Sequence, residues 1–417
     1  MRVISGSRTS KRAKRKEGQT EQTQSARSSE RFAADDPFDD GPFAWAPYLL
    51  PFAPRCEQVG RRALVALLVT WAPLAILSAL QGLALGRTRH ESFLLDFAAY
   101  GRYIVAIPAL VYASSAILPR MAKVVRHFVE SGLIAEGDRS RYEGLVASAR
   151  QLVMTRWADA AIVIIAYVVT AVRSPQLYPS NLSTWVAPIS DGTAHVSLAG
   201  WWRTMISQPL LQALLGIWLW RVLLWTRFLY QTSQLPLRLI AAHPDSLGGL
   251  RFTLMPIRGF AFVAFAIGAL FAGSVAESVI VDGQPLWAFR FQIVGQVLAV
   301  LVLFAGPALV WVQPLKRLQG WGTLHYGRLA SEVGRAFQER WLAEGRAMDA
   351  EALEAEDFSA TTDLYSIAAN VRSINTRVLD MKAVTPLVAA TLLPYLPIVF
   401  AVMPLDDILK SALKAIA

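Results

Sequence analysis

The stretch HPDSLGGL, residues 243–250, places a histidine, a carboxylate and two glycines within eight residues. His243 and Asp245 are residue types that exchange protons or bind ions, and Gly248 and Gly249 allow backbone conformations with positive φ. A catalytic site would also need a second acid, base or nucleophile nearby, and the local sequence offers none. Two interpretations stay open. The loop is functional, with His243 and Asp245 lining the cytoplasmic mouth of a transport path or binding an ion, or it is a capped turn between two helices.

The rest of the chain was searched for catalytic patterns. It contains no GxxxxGK[ST], GxGxxG, HExxH or GxSxG sequence. No two of its five histidines stand at a metal-ligand spacing, and its single cysteine, Cys56, excludes an intramolecular disulfide framework. We therefore predict that the protein is not an enzyme and has no catalytic, cofactor or metal site.

The composition is that of a membrane protein. Of 417 residues, 54% are hydrophobic and 17% are charged, whereas soluble domains carry about 25% charged residues. Seven apolar stretches approach the roughly 20 residues that a membrane-spanning helix needs. They are Ala63–Leu85, Phe97–Leu118, Trp157–Val172, Trp202–Leu224, Gly259–Val281, Phe291–Val312 and Val384–Met403. The third is short, and reaches the usual length if the helix before it is continuous with it.

Lysine and arginine residues predict the orientation of these spans. With the N-terminus inside, 32 basic residues fall in the inner segments 1–62, 119–156, 225–258 and 313–383, and 7 fall outside. Because basic connections stay in the cytoplasm, we expect a cytoplasmic N-terminus and a periplasmic C-terminus in a bacterial inner membrane. The fold class is then all-α, a polytopic bundle with six spans in 63–312 and a seventh at the end of the chain.

The last apolar segment, within 384–417, is the least regular. Pro386, Pro394 and Pro397 interrupt it, and proline breaks the helical hydrogen-bond ladder. It is either a kinked crossing followed by an amphipathic C-terminal helix, or a re-entrant hairpin, which would leave six spans.

The first 42 residues have a different composition, and we predict that they are disordered, with 43–62 as an interfacial lead-in. The cluster Lys11, Arg12, Lys14, Arg15 and Lys16 favours anionic lipid headgroups over nucleic acid as its partner. The alternative is that it acts only as a cytoplasmic orientation signal.

The inner connections at 119–156, 225–258 and 313–383 have helical periodicity. Leu329, Val333, Phe337 and Trp341 recur every four residues, and Arg328/Glu332 are spaced for an ion pair. A second run continues from Leu364 to Met381, with Thr361 or Thr362 as its expected N-cap. We predict a cytoplasmic helical layer that either docks a protein partner or packs only on itself.

Polar residues inside the spans are the other candidates for function. They are Arg102, Gln212, Arg221 and Glu277, of which only Gln212 is central in its span. No charged residue falls at the middle of a span, which argues against a proton-coupled carrier.

Prolines interrupt four of the predicted spans. They either expose backbone carbonyls to a water-filled path or make simple kinks. A small-residue stripe at Ala264, Gly268 and Ala272 favours packing within the bundle, and is also compatible with a homo-oligomer.

The arrangement resembles a type of uncharacterised bacterial multi-pass membrane protein. The resemblance rests on HPDSLGGL after the span WLWRVLLWTRF, and on the closing segment LLPYLPIVFAVMPLDDILKSAL. It covers roughly residues 60–417, implies the multi-pass architecture, and implies no activity.

Two functions fit these observations. The first is a pore or facilitator for a small solute or ion, favoured by proline-interrupted and mostly uncharged spans. The second is a membrane-embedded sensor or scaffold whose cytoplasmic helices dock a partner or anionic lipid.

Overall fold

The computed structural model describes residues 59–86, 89–173, 185–190, 193–342 and 356–402. Nine main helices lie within these ranges: α1 Val59–Leu80, α2 Phe97–Glu130, α3 Glu136–Val153, α4 Arg156–Val172, α5 Leu198–Ser233, α6 Arg251–Ile280, α7 Leu286–Trp341, α8 Glu356–Arg372 and α9 Met381–Val402. Short 3₁₀ turns occupy Arg89–Glu91 and Phe93–Leu95. The strands β1 Ile189–Ser190 and β2 Thr193–Ala194 form a small antiparallel pair.

The predicted all-α multi-pass bundle is confirmed. Six helices, α1, α2, α5, α6, α7 and α9, are long and apolar enough to cross a membrane, and the bent pair α3–α4 raises the number to as many as seven. The third predicted span is not straight. The chain bends by 43° between α3 and α4, so the polar helix α3 does not simply extend the 17 residues of α4.

The prolines in four predicted spans lie where one helical segment gives way to the next. Pro73, Pro108, Pro307 and Pro394 each lie in the first turn of a new helical segment. Each segment follows on another helical segment of the same long helix. The missing N–H of proline therefore interrupts the hydrogen-bond ladder, and the helix is divided into segments at that point. The segments adjoining these sites include a π-helical stretch, Tyr100–Ala106, and two 3₁₀ stretches, Gly306–Trp311 and Leu393–Tyr395.

The predicted inner connections meet on one side of the bundle, which we call the basic face. The amide of Arg238, after α5, donates to the carbonyl of Leu133, after α2, at 2.8 Å. The amide of Asn375, after α8, donates to the carbonyl of Ser246 at 2.8 Å. Aromatic side chains also pack together near this face. The ring centroids of Phe128 and Trp311 are 5.9 Å apart, and both residues are fully buried.

The predicted outer connections meet on the opposite face. The amide of Leu198 donates to Gln81 Oε1 at 2.9 Å, which joins the start of α5 to the end of α1. The indole of Trp185 donates to Asp96 Oδ2 at 2.8 Å, which ties the β1–β2 region to the start of α2. The connections therefore separate onto two faces, as the alternating topology requires.

The small-residue stripe of α6 packs inside the bundle, as favoured by the sequence. A Cβ added to Gly268 would meet the backbone of Thr391 in α9, and one added to Gly101 in α2 would lie 2.5 Å from the carbonyl oxygen of Ala269. Close backbone approach of this kind needs residues without large side chains.

The last apolar segment, Met381–Val402, is one helical run that is long and apolar enough to cross a membrane. Gly268, near the middle of the α6 membrane segment, faces Thr391 of α9. Tyr395 and Ile398, further along α9, share a buried cluster with Val279 at the end of α6. The two helices therefore run in the same direction along their length, and α9 does not fold back as a hairpin. Residues 403–417, predicted as an amphipathic helix, lie outside the described ranges.

The long helix α7 leaves the bundle on the basic face and pairs with α8. A Cβ on Gly322 would touch Val371, and one on Gly334 would touch Tyr365, so the two helices are antiparallel. The predicted pair of Arg328 and Glu332 is present, with Nε to Oε1 at 3.3 Å.

Two details predicted for α8 are wrong. The helix is already formed at Glu356, so Thr361 and Thr362 lie inside it and do not cap it. Acidic residues at its start favour this earlier beginning through the helix dipole. The helix also ends at Arg372. Ile374 and Val378 are still buried, but they belong to an irregular segment in which Val378 has φ of 62°.

Candidate functional site

The 243–251 loop connects α5 to α6 on the basic face and has an unusual backbone. Three of its residues have positive φ: Ser246 at 57°, Gly248 at 64° and Gly249 at 94°. The amide of Ile240 donates to the carbonyl of Gly248 at 3.3 Å, which closes the turn. The glycine pair is explained by this conformation. Ser246 adopts it without being glycine, and no sequence pattern indicated that.

The carboxylate of Asp245 organises the loop. Its Oδ1 accepts hydrogen bonds from the amides of Leu247 at 2.8 Å and Gly249 at 3.1 Å, and its Oδ2 accepts one from the amide of Arg251 at 3.1 Å. A short acidic side chain bonded to successive backbone amides is an extended form of the Asx turn. The side chain of Asp245 is only 13% exposed.

His243 lies beside this carboxylate. Its Nδ1 is 2.8 Å from Asp245 Oδ1 and 3.2 Å from the amide nitrogen of Asp245. Nδ1 donates in the first contact and accepts in the second, so one tautomer satisfies only one of them. We assign the proton to Nδ1, because the contact with the carboxylate is shorter and charge-assisted.

The environment lowers the pKa of Asp245. Burial is the largest influence and raises this pKa, but the three backbone amides and His243 act against it, and the net direction is down. Asp245 therefore stays ionised at neutral pH and is already saturated with donors. In this geometry it holds backbone in place, and it is not poised as a proton acceptor for a substrate.

A polar cavity of about 450 Å³ adjoins the loop on the basic face. Arg251, at the start of α6, and Asp380, before α9, pair across it with Nη2 to Oδ2 at 3.0 Å. Asp380 Oδ1 also caps α9 by accepting from the amides of Lys382 at 2.6 Å and Ala383 at 3.2 Å. The walls are formed by Asp245, Ser246, Leu247, Arg251, Ser373, Asn375, Val378 and Asp380.

The cavity was not predicted, although part of its signal is in the sequence. An aspartate directly before an apolar run is an N-cap pattern, and Asp380 has that position. Arg251, Ser373 and Asn375 are brought to the 243–251 loop only by the packing of α6, α8 and α9. The hydrogen-bond donors and acceptors that line the cavity suit a small polar ligand. No cluster of three or more His, Cys, Asp or Glu side chains able to hold a metal occurs among the described residues.

The intramembrane candidates do not form one site. Gln212 in α5 accepts a hydrogen bond from the hydroxyl of Thr170 in α4 at 3.0 Å, so it joins two helices. Arg221 is 8% exposed, and its guanidinium lies 5.1 Å from the ring centroid of Trp218, one turn earlier in the same helix. Such a contact is a cation–π interaction.

Glu277 and Arg102 lie together near the opposite face. Asp96, which accepts from Trp185, is within hydrogen-bonding reach of Glu277, and Arg102 is close enough to interact with the Glu277 carboxyl electrostatically. Asp96 was not a candidate, because it lies just before the predicted second span, Phe97–Leu118. The lipid-binding candidates Lys11, Arg12, Lys14, Arg15 and Lys16 lie outside the described residues.

The chain was compared with known protein families, curated proteins and solved structures. No family model matches it, and no curated protein or solved structure matches it either. The resemblance based on HPDSLGGL therefore stays a prediction, and the function has to be argued from the geometry.

Proposed function

We propose that the protein is a membrane-embedded scaffold or sensor that presents a rigid helical hairpin, residues 312–341 of α7 with α8, to the cytoplasm. In this proposal the basic face is cytoplasmic, as the distribution of lysine and arginine predicts, and the membrane is a bacterial inner membrane. The hairpin is the surface on which a soluble partner docks.

The continuity of α7 is the observation that carries the proposal. This helix extends from Leu286 in the membrane bundle to Trp341 at the tip of the hairpin. Where it leaves the bundle, Trp311 and Leu315 are both fully buried. A helix anchored by buried residues on one side of its exit, and continuous beyond it, carries a movement of the bundle into the hairpin.

The hairpin is also fastened to the bundle at its second end. The segment after α8 bonds to the 243–251 loop through Asn375 and Ser246, and the pair of Arg251 and Asp380 joins the starts of α6 and α9. A ligand in the polar cavity would touch both attachments. In the proposed sensor, this cavity is the site at which a small polar ligand binds.

The alternative of a pore has less support from the geometry. The four prolines that suggested an open path begin helical segments, and the small residues of α6 are used for helix contacts. Gln212, the central polar residue, is engaged with Thr170.

A flux assay tests the choice between the two functions. Sealed liposomes containing the purified protein are expected to retain K⁺ and glycerol as well as protein-free liposomes do. A selective leak at least ten times faster than this control would support the pore and overturn the scaffold.

Spin-label distances test the rigidity of the hairpin. In a Cys56→Ser background, labels at Gln234, after α5, and at Gln338, near the hairpin tip, should give one narrow distance distribution. Gln234 paired with Gln284, between α6 and α7, is the matched control within the bundle. A broad distribution for Gln338 beside a narrow one for the control would contradict the proposal.

A further inference from the structure

One face of α7 in the hairpin exposes large apolar side chains between cations. Trp321 is 53% exposed and Leu324 is 73% exposed, while Arg317 and Arg328 are exposed on either side of them. The spacing 317, 321, 324, 328 places all four on one helical face. We call these four residues the 317–328 stripe. His325 stacks on Trp321 with ring centroids 4.5 Å apart and widens the apolar area.

This stripe does not face α8. Gly322 and Gly334 mark the side of α7 that contacts α8, and each residue along a helix turns the direction by about 100°. Trp321 and Leu324 therefore point roughly a third of a turn or more away from that contact. Burying large apolar side chains is favourable, so an occupant that covers them and carries negative charge would be stabilised on this face.

The stripe also lies beyond the lipid headgroups. Phe304 of α7 stacks on Phe260 near the start of the α6 membrane segment, with centroids 4.9 Å apart. Trp321 comes 17 residues after Phe304, or about 25 Å further along the helix at about 1.5 Å per residue. The headgroup layer adds only about 5–8 Å to each side of the hydrocarbon core. This position beyond the headgroups favours a polypeptide over a lipid as an occupant of the stripe.

The chain itself contains a segment with the complementary chemistry. Residues 35–45, DDPFDDGPFAW, carry four aspartates and three aromatic residues. The carboxylates match Arg317 and Arg328, and Phe38, Phe43 and Trp45 match the apolar centre of the stripe. An anionic lipid surface would repel this segment.

The geometry of α1 brings this segment within reach. The carbonyl of Thr70 accepts from the hydroxyl of Ser207 at 2.8 Å, and the ring of Trp218, eleven residues after Ser207, packs on Phe260. Val59 lies eleven residues before Thr70 in the antiparallel helix, so it is at about the depth of Phe260.

From Val59, the stripe is about 25 Å further from the membrane, by the same count of about 1.5 Å per residue. The thirteen residues 46–58 span up to about 43 Å when extended. That length covers the rise and leaves a lateral allowance of about 35 Å by the same estimate. The linker is therefore long enough for residues 35–45 to reach the height of the stripe.

We propose that residues 35–45 dock on the 317–328 stripe of the same molecule and cover the surface that a partner would use. The inference rests on the proposed function in one respect: both segments must lie on the cytoplasmic side. Release of the segment, through competition by a partner with acidic and aromatic residues, would expose the hairpin.

Cross-linking in the full-length protein tests this docking. In a Cys56→Ser background, cysteines replace Ala44 and Gly320, which has open space around its Cα and leaves the stripe intact. A bismaleimide of about 10 Å should link them within one chain in neutral nanodiscs. The control pair, Ala44→Cys with Gln338→Cys, places the second cysteine about 27 Å further along the exposed side of α7 and should give at least fivefold less product.

Charge changes separate docking from random collision. Arg317→Glu with Arg328→Glu should lower the yield at least fivefold, and replacing Asp35, Asp36, Asp39 and Asp40 by Lys in that background should restore it. Neutralising four acidic residues elsewhere in the sequence, Asp349, Glu351, Glu354 and Asp357, is the matched control and should leave the yield unchanged.

Four outcomes would overturn the proposal. They are equal yields for the test and control pairs, insensitivity to the charge changes, product formed only between differently tagged copies, and product formed only with anionic lipid. A second experiment distinguishes failure of the docking proposal from failure of the proposed function. It applies an impermeant thiol reagent to sealed vesicles that contain the cysteine variants. Labelling of Ala44→Cys and Gly320→Cys from opposite sides overturns both, whereas labelling from the same side without cross-linking overturns the docking alone.

Discussion

At the scale of single residues, Asp245 shows how a reactive-looking sequence can serve structure. Its carboxylate accepts from three backbone amides and from His243. These bonds hold the positive φ values of the loop and the first residue of α6. The histidine and aspartate of HPDSLGGL thus act on the chain itself, and the exposed part of the loop, with Arg251, forms a wall of the polar cavity.

The first prediction concerns the removal of this carboxylate. Asp245→Ala leaves the amides of Leu247, Gly249 and Arg251 without their acceptor, and the free energy of unfolding should fall by about 2–3 kcal/mol. Asp282→Ala is the control, because that carboxylate is 44% exposed and lies 3.8 Å from His90; it should cost less than about 1 kcal/mol. Chemical denaturation in detergent measures both. Equal losses would contradict the assigned role.

The second prediction follows from the lowered pKa of Asp245. A group whose pKa is depressed in the folded state stabilises the fold above its unfolded pKa, here 3.8, and loses that contribution as the pH falls through the folded pKa. The difference in stability between the wild type and Asp245→Asn should therefore be constant at neutral pH and shrink below pH 3.8. Unfolding midpoints measured down to acidic pH test this; a difference that grows on acidification would reverse the sign.

At the scale of elements, small residues set how closely the membrane helices pack. Gly268 lets α6 approach the backbone of α9, and Gly101 lets α2 approach α6. Further along α9, Tyr395 and Ile398 share a buried cluster with Val279 of α6. The periodic small residues of α6 predicted close packing, but its partners became known only from the fold.

The third prediction compares two glycines in membrane helices. Gly268→Ala places a Cβ against the carbonyl of Thr391, so α9 must shift, and the loss in stability should be about 1–3 kcal/mol. Gly295→Ala in α7 meets nothing within 4 Å, and should raise stability by about 0.5–1 kcal/mol through helix propensity. Thermal unfolding in detergent measures both shifts. A stabilising Gly268→Ala would contradict the packing.

The fourth prediction separates the two roles of Asp380. Asp380→Ala removes the N-cap of α9 and the pair with Arg251, and should cost about 1–2 kcal/mol. Asp380→Ser keeps a capping oxygen, so it should cost only what Arg251→Ala costs, about 0.2–1 kcal/mol for a partly exposed pair. A double-mutant cycle over Arg251 and Asp380 measures the coupling. Equal effects of Ala and Ser at position 380 would exclude the capping role.

At the scale of the whole molecule, the connections separate onto two faces. Basic connections meet around the 243–251 loop, and the less charged connections meet around Asp96 and Trp185. A bundle arranged in this way carries its hairpin and polar cavity on one side of the membrane. That arrangement suits a scaffold or sensor.

The fifth prediction tests this arrangement. In a Cys56→Ser background, cysteines at Gln234 and Gln284, both exposed, should react with an impermeant thiol reagent from opposite sides of right-side-out vesicles. Gln284→Cys should react from outside, and Gln234→Cys only after the membrane is permeabilised. Reaction of both from outside would exclude the topology.

The sequence by itself determined the helical class, the approximate positions of the spans and their alternating sides. Runs of apolar residues and the distribution of lysine and arginine are local quantities, and a bilayer acts on them segment by segment. The same reasoning predicted the ion pair of Arg328 and Glu332, because an α-helix by itself brings side chains four residues apart into contact.

Only the tertiary structure decided how those elements contact each other and where some of them bend or end. The polar cavity joins residues from 245 to 380, the bend before α4 and the direction of α9 depend on neighbouring helices, and the end of α8 at Arg372 overrides a periodic pattern that continues to Met381. In each case the deciding energy comes from contacts between segments far apart in the chain. A pattern within one segment carries no information on such contacts.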